Sequence, residues 1–527
     1  MVSSGRTGGA AFLAPALPAG TSIRNVARVT LDPRSPVIVG AAQYLHRADT
    51  LDDALEPAAI MERAVRDAAI DAGLTGLDAV QSVRVVNVIG WRYRNPARFV
   101  AERLGLDTTE LELAETTMGG NSPQALVNQT ALDIQRGDLD VAILTGAEAF
   151  RTYMRARKQG AELPWPKAPD DDEPVRLGTE LSMNHPHERE RGIYMPVQIY
   201  PMFDTAIRAA DGLTPQEQTA RLGQLWSGLS EVAATNPDAW IQQAYTPDEI
   251  TTTGPSNRMI GLPYPKLMNS NSDVDMGAAL IMCSAEAAER LGVERSRWVF
   301  PQSGVDCNEH EYVSNRDTFA RTPAIELGGR RALDLADADI DDVALIDLYS
   351  CFPSAVQLGG RSLGIDVWER QWSRTGGLSF AGGPWNNYPM HAIATIVGEL
   401  RDQPDEAAFV WANGGYATKH SFGVYRTTPP VAGFRHEKPQ AEIDALPRRE
   451  LATPADVVSA GDQTTIEAYT VMFDRDEQPE LAIASCLLPD GRRAWGTSSA
   501  DDTTTAMCTD EWVGTEVAID ADGTLHP

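Results

Sequence analysis

A chain of 527 residues, 43% hydrophobic and 23% charged, has enough length for two or three domains and at least one large core. Its formal net charge of −29 excludes general binding to nucleic acid or to anionic membranes, but not an anionic ligand held by a local basic patch. Five scattered cysteines with no CxxC spacing argue against a disulfide framework and for a reducing, cytoplasmic setting, and no apolar run approaches the roughly 18 residues that a membrane span needs.

Residues 1–33 are rich in Gly, Ala and Pro and read as a flexible tail, not a signal peptide. Val37–Gly40 reads as a buried strand and 57–73 as an amphipathic helix closed by Gly73. Val83–Ile89 reads as a strand and Asn95–Leu104 as a helix. A tight turn, Gly119-Gly120-Asn121, then leads into a helix with Ser122 as N-cap and Pro123 as first helical residue. Val141–Leu144 has the near-continuous apolar character of a strand buried on both faces, with Gly146-Ala147-Glu148 turning the chain after it. A turn opening a helix exposes N–H groups where an α/β enzyme usually keeps a nucleophile. Here the turn offers glycines and an asparagine.

The alternation breaks at about 151–258, a loop-rich excursion with helical patterns at 199–212 and 215–236, expected to pack over the active face of the core. Residues 267–290 supply a polar loop, a strand at Ala278–Cys283 and a Ser284-capped helix. Thus 34–300 forms a first α/β domain carrying the excursion, and 301–430 a second. The second ends as the first does: a helix at Met390–Leu400, a strand at Ala407–Trp411 and a turn at Asn413-Gly414-Gly415. That parallel favours an internally duplicated fold. Residues 431–460 read as a linker, and 461–527 as a small all-β appendage of short alternating strands. The appendage holds 14 Asp and Glu against 3 Arg and no Lys, the wrong sign for a phosphate backbone. A docking or lid role is expected for it, toward a protein partner or a ligand entrance.

In motif order, residues 34–428 resemble the thiolase superfamily. Aligned on Gln124-Ala125, the family's nucleophilic cysteine falls on Gly119, followed by Asn121-Ser122-Pro123. The Asn-Glu-Ala-Phe motif, His-Asp-Cys-Phe in the sterol-carrier-protein-2 type, falls on Tyr349-Ser350-Cys351-Phe352. The Gly-His-Pro motif falls on Gly382-Gly383-Pro384, and the final Cys-x-Gly turn on Asn413-Gly414-Gly415. The appended β domain is similar to that of the thiolase-like type 1 proteins of actinobacteria. The resemblance implies a layered α-β-α-β-α fold, an OB-like appendage and a monomer; a dimer stays open. It also implies coenzyme A or an acyl-CoA as ligand, with no permanently bound cofactor. The nucleophile and the Gly-His-Pro histidine are missing, so conventional thiolysis is not expected.

Several side chains then compete for roles. Cys351 coincides with the family's acid/base cysteine, or is a small buried residue. Tyr349 either donates to an acyl oxygen or is core. His420, in a Gly-rich loop, either replaces the lost base or is a surface histidine, and His391, at a helix start, either has a catalytic role or is a capping or core residue. Asn386, Asn387 and Asn413 are candidates for binding a carbonyl or a water. N–H groups from Gly119 to Ser122, with Gly414 and Gly415, are candidates for an oxyanion site. Arg151, Arg155, Arg157 and Lys158 form a basic cluster that is either a solvated face or the holder of CoA phosphates. His185 and His187 lack convincing partners, so no metal site is expected. The leading expectation is an acyl-CoA-binding, thiolase-like protein of lipid metabolism, an acyltransferase or C–C lyase without an acyl-enzyme. The alternative is an inactive thiolase-fold scaffold in a protein complex.

Overall fold

The computed structural model describes residues 31–166 and 172–526. The expected tail at 1–33 therefore lies almost entirely outside the described residues, as does part of the acidic run in the excursion. Two mixed sheets carry the fold. The first orders its strands as Pro36–Leu45, Asp275–Ser284, Val141–Ala149, Ser82–Val85, Glu112–Thr116 and Val175–Leu177. Its first two pairings are antiparallel and the remaining three parallel. The second orders Leu345–Leu348, Ala408–Gly414, Lys419–Arg426, Phe300–Asn308 and Arg435–Glu437.

The helices Ser122–Arg136 and Tyr388–Asp402 lie between the sheets. Leu126, Val127, Ala131 and Ile134 of one, with Met390, Ile393 and Ile396 of the other, share a buried cluster with Ala142 and Leu280 of the first sheet and Ala408 and Val410 of the second. Helices Pro57–Asp71 and Pro96–Leu104 cover the outside of the first sheet, and Pro323–Leu335 and Pro353–Leu363 the outside of the second. Glycines allow the close approach there: a Cβ on Gly359 would come within 2.6 Å of the Trp411 ring. The result is the expected duplicated α-β-α-β-α arrangement.

Several local expectations are corrected. Gly146, Ala147 and Glu148 do not turn the chain but continue the strand to Ala149, because this strand pairs with Asp275–Ser284 along its whole length. Ser122 does not cap its helix; its hydroxyl donates to the Thr117 carbonyl at 2.9 Å. His420 lies not in a loop but in the strand Lys419–Arg426, paired with Asn413 across a hairpin. The stretch 431–460 is more than a connector, since Arg435–Glu437 adds an edge strand to the second sheet.

The carboxyl-terminal sheet joins Thr464–Phe473, Pro479–Leu487, Arg493–Ser498, Glu516–Ile519 and Leu525–His526 by antiparallel pairing, and takes in two short strands from earlier in the chain, Met259–Gly261 and Tyr264–Pro265. A helix, Asp501–Thr509, accompanies these strands and was not anticipated, its polar DDTTT start carrying no helical apolar stripe. The sheet is fused to the rest of the molecule. Met472 pairs with Gly261, the Leu262 N–H donates to the Val471 carbonyl at 2.9 Å, and Trp495 and Ile483 join the main hydrophobic core. The buried Arg493 guanidinium donates to the carbonyls of Val313, Ser314 and Arg316.

Candidate functional site

A cavity of about 430 Å³ opens where the two halves and the excursion meet. Gly119 and Gly120 come from the first half. Tyr349, Cys351, Asn386, Asn413, Gly414 and Gly415 come from the second. Met183, Met195, Val197 and Tyr200 come from the excursion, which packs over this face. No Asp, Glu, His, Lys or Arg is among the lining residues.

The glycine turn leaves no room for a side chain. A Cβ on Gly119 would meet Asn121 Oδ1 at 2.5 Å. A Cβ on Gly120 would overlap both the Tyr349 hydroxyl and the Asn413 carbonyl oxygen. The volume that a nucleophile would need at this turn is thus taken up by Tyr349, Asn413 and Asn121. The backbone donors are also partly committed. The Gly119 N–H donates to Asn386 Oδ1 and the Ser122 N–H to the Gly119 carbonyl, both at 3.0 Å. Among the described residues, the Gly120 N–H has no acceptor, and Gly120 lines the cavity.

Cys351 and Tyr349 are both buried, at 7% exposure each. Burial pushes the Cys351 thiol up to about 12 and the Tyr349 phenol well above its ordinary value. Both are neutral hydrogen-bond donors at physiological pH, not bases. Tyr200 lies alongside the Cys351 thiol and stacks on Phe352 with ring centroids 4.6 Å apart. Its hydroxyl donates to the Gly415 carbonyl at 3.0 Å and accepts from Asn413 Nδ2 at 2.9 Å and the Ala417 N–H at 3.0 Å. Those bonds hold a hairpin turn in which Gly415 has φ +69° and Ala417 φ +50°, left-handed values that favour glycine. At Gly415 space enforces glycine too, because a Cβ there would come within 2.6 Å of Met183 Sδ.

The other candidates lie elsewhere. His391 faces the first sheet, with Nδ1 2.8 Å from Gln43 Oε1. His420 is packed between Trp411 and Phe422, and its Nδ1 accepts from Trp411 Nε1 at 3.2 Å. Burial lowers both imidazoles to about 3, so each is neutral, and neither lines the cavity. Asn387 donates to the Gly146 carbonyl at 2.7 Å, tying its helix to the first sheet. Asn121 and Ser122 line a second, polar cavity behind the turn.

The basic cluster lies on the helix Phe150–Gln159 and is divided. Arg155 donates to the carbonyls of Ala48 and Asp49, Arg151 stacks over Trp240 at 5.6 Å, and Arg157 and Lys158 are exposed. Phe150 packs edge-on against Trp385 at the cavity rim, 5.4 Å between centroids, which brings this helix near the mouth. Among the described residues, no group of three or more His, Cys, Asp or Glu could hold a metal ion.

Sequence reasoning missed Tyr200 and Lys419. Tyr200 carried a signal, a phenol in the apolar run IYPMF of an excursion expected over the active face. Lys419 is 4% exposed and donates to the Met118 carbonyl at 2.7 Å and to that of Thr179 at 3.1 Å, which anchors the turn from behind.

Comparison with known proteins places this geometry. Residues 440–524 match the family described as the thiolase-like protein type 1 additional C-terminal domain. The chain is similar to the crystal structure of a monomeric SCP2-thiolase-like protein type 1 from Mycobacterium smegmatis, 30% identical, covering 93% of this chain and 98% of that one with a TM-score of 0.78. An Ltp2–ChsH2(DUF35) aldolase structure, 19% identical over 75% of this chain and 98% of its own with a TM-score of 0.57, shares the fold. An acetyl-CoA acetyltransferase of Methanocaldococcus jannaschii is 20% identical over 304 residues, 56% of this chain and 69% of that protein.

Proposed function

This chain belongs to the SCP2-thiolase-like protein type 1 family of the thiolase superfamily, and we propose that it binds an acyl-CoA-type thioester in the cavity at Gly119–Gly120 and acts on it as a C–C lyase of lipid metabolism. The observation that carries the reading is the closed nucleophile position beside intact donors. Without a side chain at Gly119 or Gly120, no acyl-enzyme forms there, which speaks against acyl transfer through the protein. The Gly120 N–H and the Tyr349 hydroxyl remain to bind a thioester oxygen as negative charge develops on it. In an uncharged, largely apolar cavity such donors act at low dielectric, where they count for more than in water. Arg157 and Lys158, exposed at the far end of the helix whose first residue, Phe150, packs at the mouth, are the residues offered to the CoA phosphates.

A second reading, a non-catalytic scaffold in a protein complex, draws on the lack of any ionised base in the lining. Ligand-dependent melting tests the first. A rise in melting temperature is expected with acyl-CoA, without thiolysis of acetoacetyl-CoA above background. No rise with CoA, long-chain or steroid-type acyl-CoA overturns it and leaves the scaffold. Thiolysis at ordinary enzyme rates would overturn the absence of an acyl-enzyme.

A further inference from the structure

Two lysines behind the glycine turn lack a counter-charge. Lysine is rare in this chain, at positions 158, 167, 266, 419 and 438 only. Two of the five, Lys419 and Lys438, line the polar cavity of about 420 Å³ behind the turn. Among the described residues, neither forms an ion pair with a carboxylate. In a chain with 74 Asp and Glu against 45 Lys and Arg, acids to pair with them are not scarce. Lys419 is the costly one. It is 4% exposed, and its ammonium donates to the carbonyls of Met118 and Thr179, which accept protons without cancelling charge. The acid that acts on it, Glu180, is exposed, where solvent screens it. Burial lowers the Lys419 pKa, as expected of an ammonium short of negative charge. Lys438 is exposed and has no hydrogen-bond partner among the described residues.

The acids around this cavity are committed elsewhere. Asp306, the one carboxylate among its lining residues, accepts from Ser421 Oγ at 2.6 Å, from His436 Nε2 at 2.7 Å and from Asn128 Nδ2 at 3.3 Å. Arg176, the third cation of the lining, already has its own acid: it donates to Glu115 at 2.7 Å, and Glu115 also accepts from Asn87 at 2.8 Å. The two lysines are what this pairing leaves over.

Two positive charges call for a dianion. A phosphate monoester carries about −1.5 to −2 charges at neutral pH and offers three acceptor oxygens, whereas a monocarboxylate answers one lysine only. The volume exceeds the roughly 30 Å³ share of a water more than tenfold, which is more than a bare ion fills, and Ala125, Leu126 and Leu177 add apolar residues to the wall. We propose that the cavity behind the turn binds a small organic phosphate monoester, with Lys438 at its exposed side and Lys419 as the buried charge that the ligand neutralises. This site is distinct from the thioester cavity in front and from the exposed Arg157 and Lys158.

Calorimetry of the full chain at constant ionic strength, with glycerol 3-phosphate, inorganic phosphate and acetate as probes, tests it. Glycerol 3-phosphate is expected to bind with a Kd of about 1 mM or tighter, inorganic phosphate more weakly, and acetate not at all. Lys438 is exposed, so Lys438→Met is expected to fold and to weaken the monoester about tenfold, while Lys438→Arg keeps most of the affinity. Lys266→Met, at an exposed lysine outside both cavities, is expected to leave binding unchanged. Absence of binding by either phosphate, or acetate binding as tightly as they do, would overturn the proposal. So would an affinity that survives Lys438→Met but is lost in Lys158→Met, which would move the anion to the helix Phe150–Gln159. None of these probes is a thioester, so the outcome is independent of the reading of the front cavity.

Discussion

The Gly119–Ser122 turn separates two cavities of nearly equal size, about 430 and 420 Å³, and of opposite character. In front of it the lining is uncharged and rich in methionine. Behind it lie Arg176, Asp306, Lys419 and Lys438. The peptide between Met118 and Gly119 spans the divide. Its oxygen accepts from the buried Lys419 ammonium, and its N–H donates to Asn386. Charge is thus used to fix the turn from one side and is kept out of the ligand side. An ammonium in the front cavity would compete with a ligand for the same oxygen and would bring water with it. Placed behind, it holds the backbone so that the Gly120 N–H stays uncommitted.

Placing a thiol in the turn, next to the position aligned with the family's nucleophile, is the most disruptive way to break this contrast. Gly120→Cys drives a Cβ into the Tyr349 hydroxyl and into the backbone carbonyl of Asn413. A loss of about 3 kcal/mol is expected, read as a lower urea midpoint, with no thiolysis gained. Adding Tyr349→Ala is expected to recover only part, because the backbone oxygen cannot withdraw. Unchanged stability would mean that the turn has room for a side chain at Gly120 after all. Lys419→Met acts from the other side. It leaves the Met118 carbonyl without its buried donor and the Thr179 carbonyl with the Thr117 hydroxyl alone, at an expected cost of about 2 kcal/mol and with weaker ligand binding. His420→Leu lies outside the front cavity, at a residue that lines the one behind the turn. It is expected to cost about 1 kcal/mol through the stranded Trp411 N–H and to leave ligand affinity unchanged. An affinity lost in step with stability would put His420 back into the site.

What the sequence could and could not reveal follows from range. The two halves were legible because apolar periodicity and the glycine turns are local signals. The motif order brought Tyr349, Cys351 and Asn413 forward, and the cavity includes all three. His420 misled, because a histidine in a glycine-rich stretch looks the same whether its strand turns it outward or inward. His420 faces Trp411 and Phe422, which only the register of the hairpin decides. Tyr200 and Lys419 were missed because their partners lie 213 and 301 residues away in the chain. Their roles exist only after the excursion has closed over the core.

Tyr349→Phe is the mildest change and the sharpest. It removes one oxygen from the front cavity and leaves the ring packed edge-on against Tyr388, 5.6 Å between centroids. Stability is expected to move by less than about 0.5 kcal/mol, since the hydroxyl lies on the cavity side, while acyl-CoA affinity falls about fivefold. The pH dependence separates this donor from a histidine. Tyr349 and Cys351 have raised pKa values, so both keep their protons well past neutrality, and His391 and His420, lowered to about 3, have already lost theirs. Nothing that binds the ligand changes charge where an ordinary histidine would, near 6.5. Affinity is therefore expected to show no histidine step between about pH 5 and 7, in the unaltered protein and in Tyr349→Phe alike; Asp204 and Asp347, pushed up to about 6 and about 7 by burial, titrate in that range but lie outside the cavity lining. The window stops there because Glu148, pushed up to about 8 by burial, accepts the Ile89 N–H at 2.7 Å at the cavity rim. Its folded-state pKa lies above its unfolded value, so its contribution to stability falls as pH rises from about 4.5 through 8. A step in affinity near pH 6.5 that His420→Leu abolishes would show a histidine at work in the site, and the division between a charged back and an uncharged front would fail.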